Sequence, residues 1–256
     1  MADYQFPTEI VDLPSKGYFY PETNPLSSGK VELKYMTAKE EDILTSQNLI
    51  KDGTVIDMLL QSLIVNKDIK VEDLLIGDKN ALMLGTRVLG YGPKYDVIVN
   101  DPDTGLEVEH TFDLTKLETK NVDEKLFESG ENKFEFKLPN SKRVIEFKLL
   151  THKDEREVEA EVEGYKKIAQ ATGVSNELTT RLKKQIISID GETDRKKIND
   201  FVENQFLARD TREFRKYLTE ITPDIIFESE YISQIGEPHK VNVPIGVRFF
   251  WPESEL

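Results

Sequence analysis

Cysteine is absent from the 256 residues. No disulfide can close a loop and no thiolate can hold zinc, so the fold must rest on its core, which a chain this long can make substantial. The absence also fits assembly in a reducing cytoplasm. Histidine occurs three times and tryptophan once. Positive charge is short as well: 34 Lys and Arg stand against 48 Asp and Glu, a formal net charge of −14. A phosphate backbone would be repelled, and no run of Lys or Arg is long enough to build a segregated basic patch, so no nucleic-acid partner is expected. Long apolar runs are missing too. The stretch Met58-Leu59-Leu60-Gln61-Ser62-Leu63-Ile64-Val65 is too short for a bilayer and carries helical periodicity, so no membrane span is expected. The opening Met1-Ala2-Asp3-Tyr4 has neither the basic region nor the apolar stretch of a signal peptide, so the chain is expected to stay where it is made.

What is present has a globular balance, 38 % apolar and 32 % charged, enough for one large or two small domains. Near the start, Leu13-Pro14-Ser15-Lys16-Gly17-Tyr18-Phe19-Tyr20-Pro21 cannot form a continuous helix and reads as an extended aromatic arm that lies on another surface. A short strand at Val31–Tyr35 follows. Thr37 and Glu40 then have the spacing of a capping box. Ile56, Leu59, Leu60, Leu63 and Ile64 mark one buried helical face, and a further helix is predicted from Asp78 to Leu89, ending at Gly90. The period then drops to two. Tyr95, Val97 and Val99, a turn at Asp101–Gly105, and Leu106, Val108, His110, Phe112 and Leu114 predict a hairpin. Phe134, Phe136 and Leu138, a Pro139-Asn140 turn, and Ile145, Phe147 and Leu149 repeat the pattern. Residues 95–150 are therefore expected to form a small antiparallel sheet.

Helices return after Thr151, with a charged segment to Ala171 and stripes at Leu178, Leu182, Ile186 and Ile189, and at Ile198, Phe201, Val202, Gln205 and Phe206. A last helix holds Phe214, Tyr217 and Leu218 and is closed by Pro223. Two strands, near Ile225–Tyr231 and Val241–Phe250, finish the chain. The fold class is α+β, with helical segments flanking a small antiparallel β module and a C-terminal β-hairpin. Its expected divisions are an extended N-terminal arm and short strand (1–36), a helical region (37–94), the β module (95–150), a second helical region (151–222) and the C-terminal hairpin (223–256).

Signals of chemistry are weak. Gly85 and Gly90 are spaced as in a phosphate-binding loop, but the Lys-Ser/Thr that would hold phosphate is missing, and a glycine-capped helix end explains them. Asp101 and Asp103 lack the further oxygen ligands of a calcium loop and read as a solvated turn. His110, His152 and His239 are not at metal-ligand spacing; His110 falls on the apolar face of its strand and His152 at a helix start. The run from Asp154 to Glu163 is either an ion-paired solvated helix or an acidic partner-binding face. In Phe249-Phe250-Trp251-Pro252, alternation puts Phe249 and Trp251 on one side and Phe250 on the other, one side core and the other an interface anchor. No catalytic residue, cofactor or small-molecule substrate is indicated, and an enzyme is not expected.

Three segments in order resemble the T4-like phage baseplate hub protein family. They are Leu13–Tyr18 with Tyr20-Pro21 and Gly29–Thr37; Ile189-Asp190-Gly191 with Asp194-Arg195, Phe201-Val202 and Arg209–Arg212; and Val243–Val247 with Phe249–Pro252. The resemblance implies a virion protein of the contractile tail, a structural part of the baseplate hub assembled in the host bacterial cytoplasm, with other baseplate and hub proteins as partners. Tyr18, Tyr20, Phe250 and Trp251 are its candidate contacts. A hub assembly chaperone that leaves the finished particle, and a tail-associated cell-wall hydrolase, are the competing readings. Relatives of this kind look as if they carry cysteine knuckles in the hairpin turn and before the last strand. Here Asp101 and Thr104 occupy the first and Glu228–His239 has no cysteine, so the resemblance implies a sheet held by packing alone.

Overall fold

The computed structural model describes residues 7–124, 130–165, 175–245 and 249–251. Strand β1 (Thr8–Asp12) runs antiparallel to β2 (Lys30–Lys34), with Thr8 opposite Lys34 and Asp12 opposite Lys30. The chain between them is not the extended arm that its prolines predict. It folds back as a tight loop in which Leu13 N donates to the Gly29 carbonyl at 2.8 Å, and Leu13, Phe19, Tyr20 and Leu26 enter the core. Proline and glycine here set turn dihedrals rather than extension. Gly17 has a φ of 81°, and a Cβ on it would lie 2.3 Å from the Ser27 carbonyl oxygen. No other residue fits there.

Helix α1 (Ala38–Leu44) opens with the predicted capping box of Thr37 and Glu40. It is followed by α2 (Gln47–Lys51) and by α3 (Val55–Leu63), which buries Leu59, Leu60 and Leu63. Helix α4 (Ile76–Tyr91) is longer at both ends than predicted and stops at Gly92, not Gly90. Gly90 and Gly85 lie inside it as points of close approach. Added Cβ atoms would meet Met36 Sδ at 2.5 Å and Val11 Cγ2 at 2.8 Å.

Strands β3 (Lys94–Asn100) and β4 (Glu107–Asp113) form the predicted hairpin, with Tyr95, Val97 and Val99 turned inward. The hairpin remains a two-stranded sheet of its own. A second sheet is built from β6 (Phe134–Lys137), β7 (Val144–Phe147) and β8 (Ile186–Ile189), while β5 (Glu118–Thr119) pairs with β9 (Ile225–Ile226). Residues 95–150 therefore do not close into one sheet. Ile186 and Ile189, read as the end of a helical stripe, belong instead to a strand. Isoleucines spaced three apart satisfy a helix, but the β-branched run Ile-Ile-Ser-Ile suits the open edge of β7 better.

Helix α5 (His152–Gly164) packs beside α6 (Glu177–Gln185). Its acidic run is substantially ion-paired, Asp154 to Lys148, Glu155 to Arg181 and Glu157 to Lys184; the part of the charged segment beyond Tyr165 lies outside the described residues. Helix α7 (Arg195–Asp200) runs into a π turn at Phe201–Gln205. Helix α8 (Ala208–Ile221) buries Phe214, Leu218 and Ile221. Phe214 meets Phe147 edge-to-face at 4.9 Å, and Tyr217 stacks on Phe136 at 4.8 Å.

The C-terminal hairpin is β10 (Glu228–Ile232) with β11 (Pro238–Asn242). Its second strand ends at Asn242 instead of continuing to Phe250, since Pro244 has no amide hydrogen for the ladder. Phe249 and Phe250 are both buried, so the expected alternation fails there. The class is α+β as expected, and a single core draws on residues from Leu13 to Phe250. Among the described residues no helix is long and apolar enough to cross a membrane.

Candidate interaction site

The tips of hairpins β3–β4 and β10–β11 are fastened to each other by one carboxylate. Asp-Pro-x-Thr-Gly sets the turn after β3: Asp101 Oδ1 accepts from Asp103 N, Thr104 N and Thr104 Oγ1 at 3.1, 2.8 and 2.9 Å. Its other oxygen, Oδ2, accepts from Tyr231 Oη and Gln234 N, both at 2.8 Å, across 130 residues of sequence and more. Asp101 is 1 % exposed, so the solvated turn expected here is instead a buried junction. Burial pushes this carboxyl up, but the Gln234 and Thr104 amides and the Tyr231 and Thr104 hydroxyls outweigh it and hold it well below the usual carboxylate range. Beside it, Asp103 takes a 2.8 Å contact with His239 Nε2. Tyr231 packs edge-on to His110 at 5.0 Å, and burial pushes His110 down.

This corrects the expectation that packing alone holds the cysteine-free hairpins. It also answers whether the Asp101 and Thr104 positions suit a metal. Donor hydrogens surround the carboxylate and occupy its lone pairs, which is unfit for a cation.

Apolar side chains project from the tips so joined. Leu106 is 58 % exposed, and its carbonyl accepts from Asp101 N. Ile232 and Ile235, next in the chain to Tyr231 and Gln234, are 61 % and 66 % exposed. Large apolar side chains on rigid, well-bonded turns are suited to docking against another protein, because little ordering entropy remains to be lost. Leu106, expected to open the apolar face of the return strand, lies instead just before β4 and faces solvent; Ile232 and Ile235 carry no sequence signal of their own.

The four aromatic residues chosen from the sequence are not brought together. Tyr20 is buried; its hydroxyl donates to Asp78 Oδ2 at 2.6 Å and accepts from Leu75 N at 2.8 Å. Phe250 is buried against Phe249, ring centres 5.1 Å apart. Both serve the chain's own core. Tyr18 is half-buried, its carbonyl accepting from Gly130 N. Trp251 is half-buried too, and Trp251 Nε1 donates to the Leu44 carbonyl at 3.0 Å.

A second polar cluster lies in a groove between α3 and α5. Asp57 meets Lys79 Nζ at 2.6 Å, His152 Nε2 at 2.7 Å and Arg156 at 3.3 Å. Burial pushes Asp57 up, but His152 and Lys79 bring it down to about 2. A carboxylate so fully matched by donors ties three helices together and is unsuited to taking up a proton at neutral pH.

The model of the family described as T4 bacteriophage base plate protein matches residues 11–223. No curated protein and no solved structure matches the chain.

Proposed function

Because the chain belongs to the T4 bacteriophage base plate protein family, we propose that it is a structural component of the baseplate hub that works through protein contacts and not through catalysis. The observation that carries this reading is the pair of hairpin tips locked by Asp101 while presenting Leu106, Ile232 and Ile235 to solvent. Family membership makes other baseplate proteins its neighbours. The hub in particular is supported by the three sequence segments that resemble hub proteins in order. Tyr18 and Trp251, each only half-buried, remain candidate contacts beside the tips.

Quantitative mass spectrometry of purified virions and of hub subassemblies from infected cells tests the role. A fixed ratio to the other baseplate proteins in both is the expected result. Presence in subassemblies alone would make the chain a departing assembly factor, and absence from both would overturn the hub reading. The contact surface is tested by Ile232→Ser with Ile235→Ser. Melting temperature should hold within a degree or two, because both side chains are already solvated, while incorporation into particles falls. Unchanged incorporation would remove the tips from the interface. Turnover of peptidoglycan that is lost on mutating one or two carboxylates would replace the structural role with a hydrolytic one.

A further inference from the structure

Arginine is distributed unevenly between bound and unbound states in this chain. Arg143, Arg156 and Arg181 pair with Asp190, Asp57 and Glu155. Arg87 donates to the carbonyls of Gly92 and Lys94, and Arg195 to those of Lys183 and Ile186. Among the described residues that leaves Arg209, Arg212 and Arg215, which are exposed and have no carboxylate within ion-pairing distance. All three stand on α8, Arg209 and Arg212 on the side away from Phe214, Leu218 and Ile221 and Arg215 on its flank. Lys216 joins them, contacting only Glu213 one turn back at 3.0 Å. Positions 209, 212 and 216 share a helical face, so the cations form a stripe about 10 Å long. The three arginines never form a run in sequence, because helical spacing gathers them only once α8 exists.

In a protein with 48 carboxylates, three unpaired guanidinium groups on one helix are an unusual residue of the charge pairing. Their planar donor forks match carboxylates bidentately and are favoured in interface centres. A nucleic acid fits less well: the stripe spans only two or three phosphates, and the remaining charge of the chain, −14 in total, would repel the rest of a polyanion. Screening over about 8 Å means that a folded partner touching α8 feels mainly the stripe.

We infer that the outer face of α8 docks a carboxylate-bearing surface of a neighbouring baseplate protein. The inference rests on baseplate membership and not on the hub assignment. The test uses phage carrying Arg209→Glu, Arg212→Glu and Arg215→Glu together, with the three Arg→Lys changes as a charge-keeping control. Melting and far-ultraviolet circular dichroism of the purified chains verify folding. Incorporation into tail subassemblies should fall by roughly tenfold or more for the Glu variant and far less for the Lys control. In wild-type subassemblies, carbodiimide coupling should join Lys216 to an Asp or Glu of a different tail protein. Wild-type incorporation of a folded Glu variant would overturn the inference. Lys216 coupled only to a second copy of this chain would also overturn it, as would tight binding of a duplex DNA 30-mer that the Glu variant loses. If the wild-type chain occurs in subassemblies but not in virions, the hub role fails while the docking face stands. If it occurs in neither, both fall.

Discussion

Replacing Tyr20 with phenylalanine separates two accounts of the N-terminal segment. As an aromatic arm, Tyr20 would serve a neighbour, and losing its hydroxyl would leave the isolated chain unchanged. In the structure that hydroxyl sits at 5 % residue exposure between Asp78 Oδ2 at 2.6 Å and Leu75 N at 2.8 Å. Phenylalanine keeps the ring in the core, so the loss is confined to the oxygen. A hydrogen bond to a buried carboxyl group contributes about 1.5–3 kcal/mol, and the Leu75 amide left without an acceptor adds about 1 kcal/mol or more. The expected destabilisation is about 3 kcal/mol. For a domain of this size that corresponds to a fall in melting temperature of roughly 6–12 °C, read by circular dichroism or by the midpoint of urea unfolding. Tyr18→Phe, at a half-buried position, should move the midpoint by roughly 2 °C or less. A Tyr20→Phe variant melting within a degree of wild type would refute the argument. If it also failed to enter particles, the arm would be restored as an interface.

Other consequences follow from the same contacts. Asp101→Ala should leave secondary structure intact but speed hydrogen exchange at the Asp103, Thr104 and Gln234 amides, which all bond to its carboxylate; unchanged protection would mean that the tips are not held there. Gly77→Ala puts a Cβ 2.0 Å from the Pro223 carbonyl oxygen, backbone against backbone, and should cost roughly 1–3 kcal/mol by denaturant unfolding. Acid should unfold the chain chiefly between pH 4.5 and 2. Burial pushes Glu40, Asp57 and Asp210 up, yet their hydrogen-bond partners bring each down to about 2 from ordinary values of 4.5 and 3.8. Folded values below unfolded ones mean stability that is complete above the unfolded pKa and lost as pH falls through the folded one. Asp78, pushed up by burial, has the opposite sign and softens the loss; a stability that rose on acidification through this window would contradict the balance.

Local patterns were legible in the sequence where one element decides its own form. The alternation at Tyr95, Val97 and Val99 places those side chains inward because a strand half-buried on one face needs nothing else to define it. The capping box at Thr37 and Glu40 is likewise complete within four residues. Ile186 and Ile189 were misread because spacing by three fits a helix, and the strand form is decided by β7, some forty residues earlier. Tyr20 looked like an exposed arm because its partner Asp78 is 58 residues away. Asp101 looked like a solvated turn for the same reason, with Tyr231 130 residues away. The exposed tips were hidden with it, since the exposure of Leu106, Ile232 and Ile235 depends on two hairpins meeting.

These distant partners share a chemistry that bears on how a cysteine-free chain joins its parts. Asp78 takes Ser15 N and Tyr20 Oη from the N-terminal loop. Asp101 takes Gln234 N and Tyr231 Oη from the last hairpin. Asp210 takes Asn140 N, Asn140 Nδ2 and Ser141 N from the turn between β6 and β7. Each is an almost fully buried carboxyl group whose hydrogen-bond partners are backbone amides and neutral side chains, with no ion pair to Lys or Arg among the described residues. A carboxylate of this kind satisfies several orphan donors of a loop at once, which neither an apolar residue nor a single hydroxyl can do. It fixes the loop's position as a cross-link would, but only while the donors stay in register. Carboxylates satisfied by amides leave cations available elsewhere. Among the described residues, the arginines left without a carboxylate or carbonyl partner are those that α8 presents to solvent.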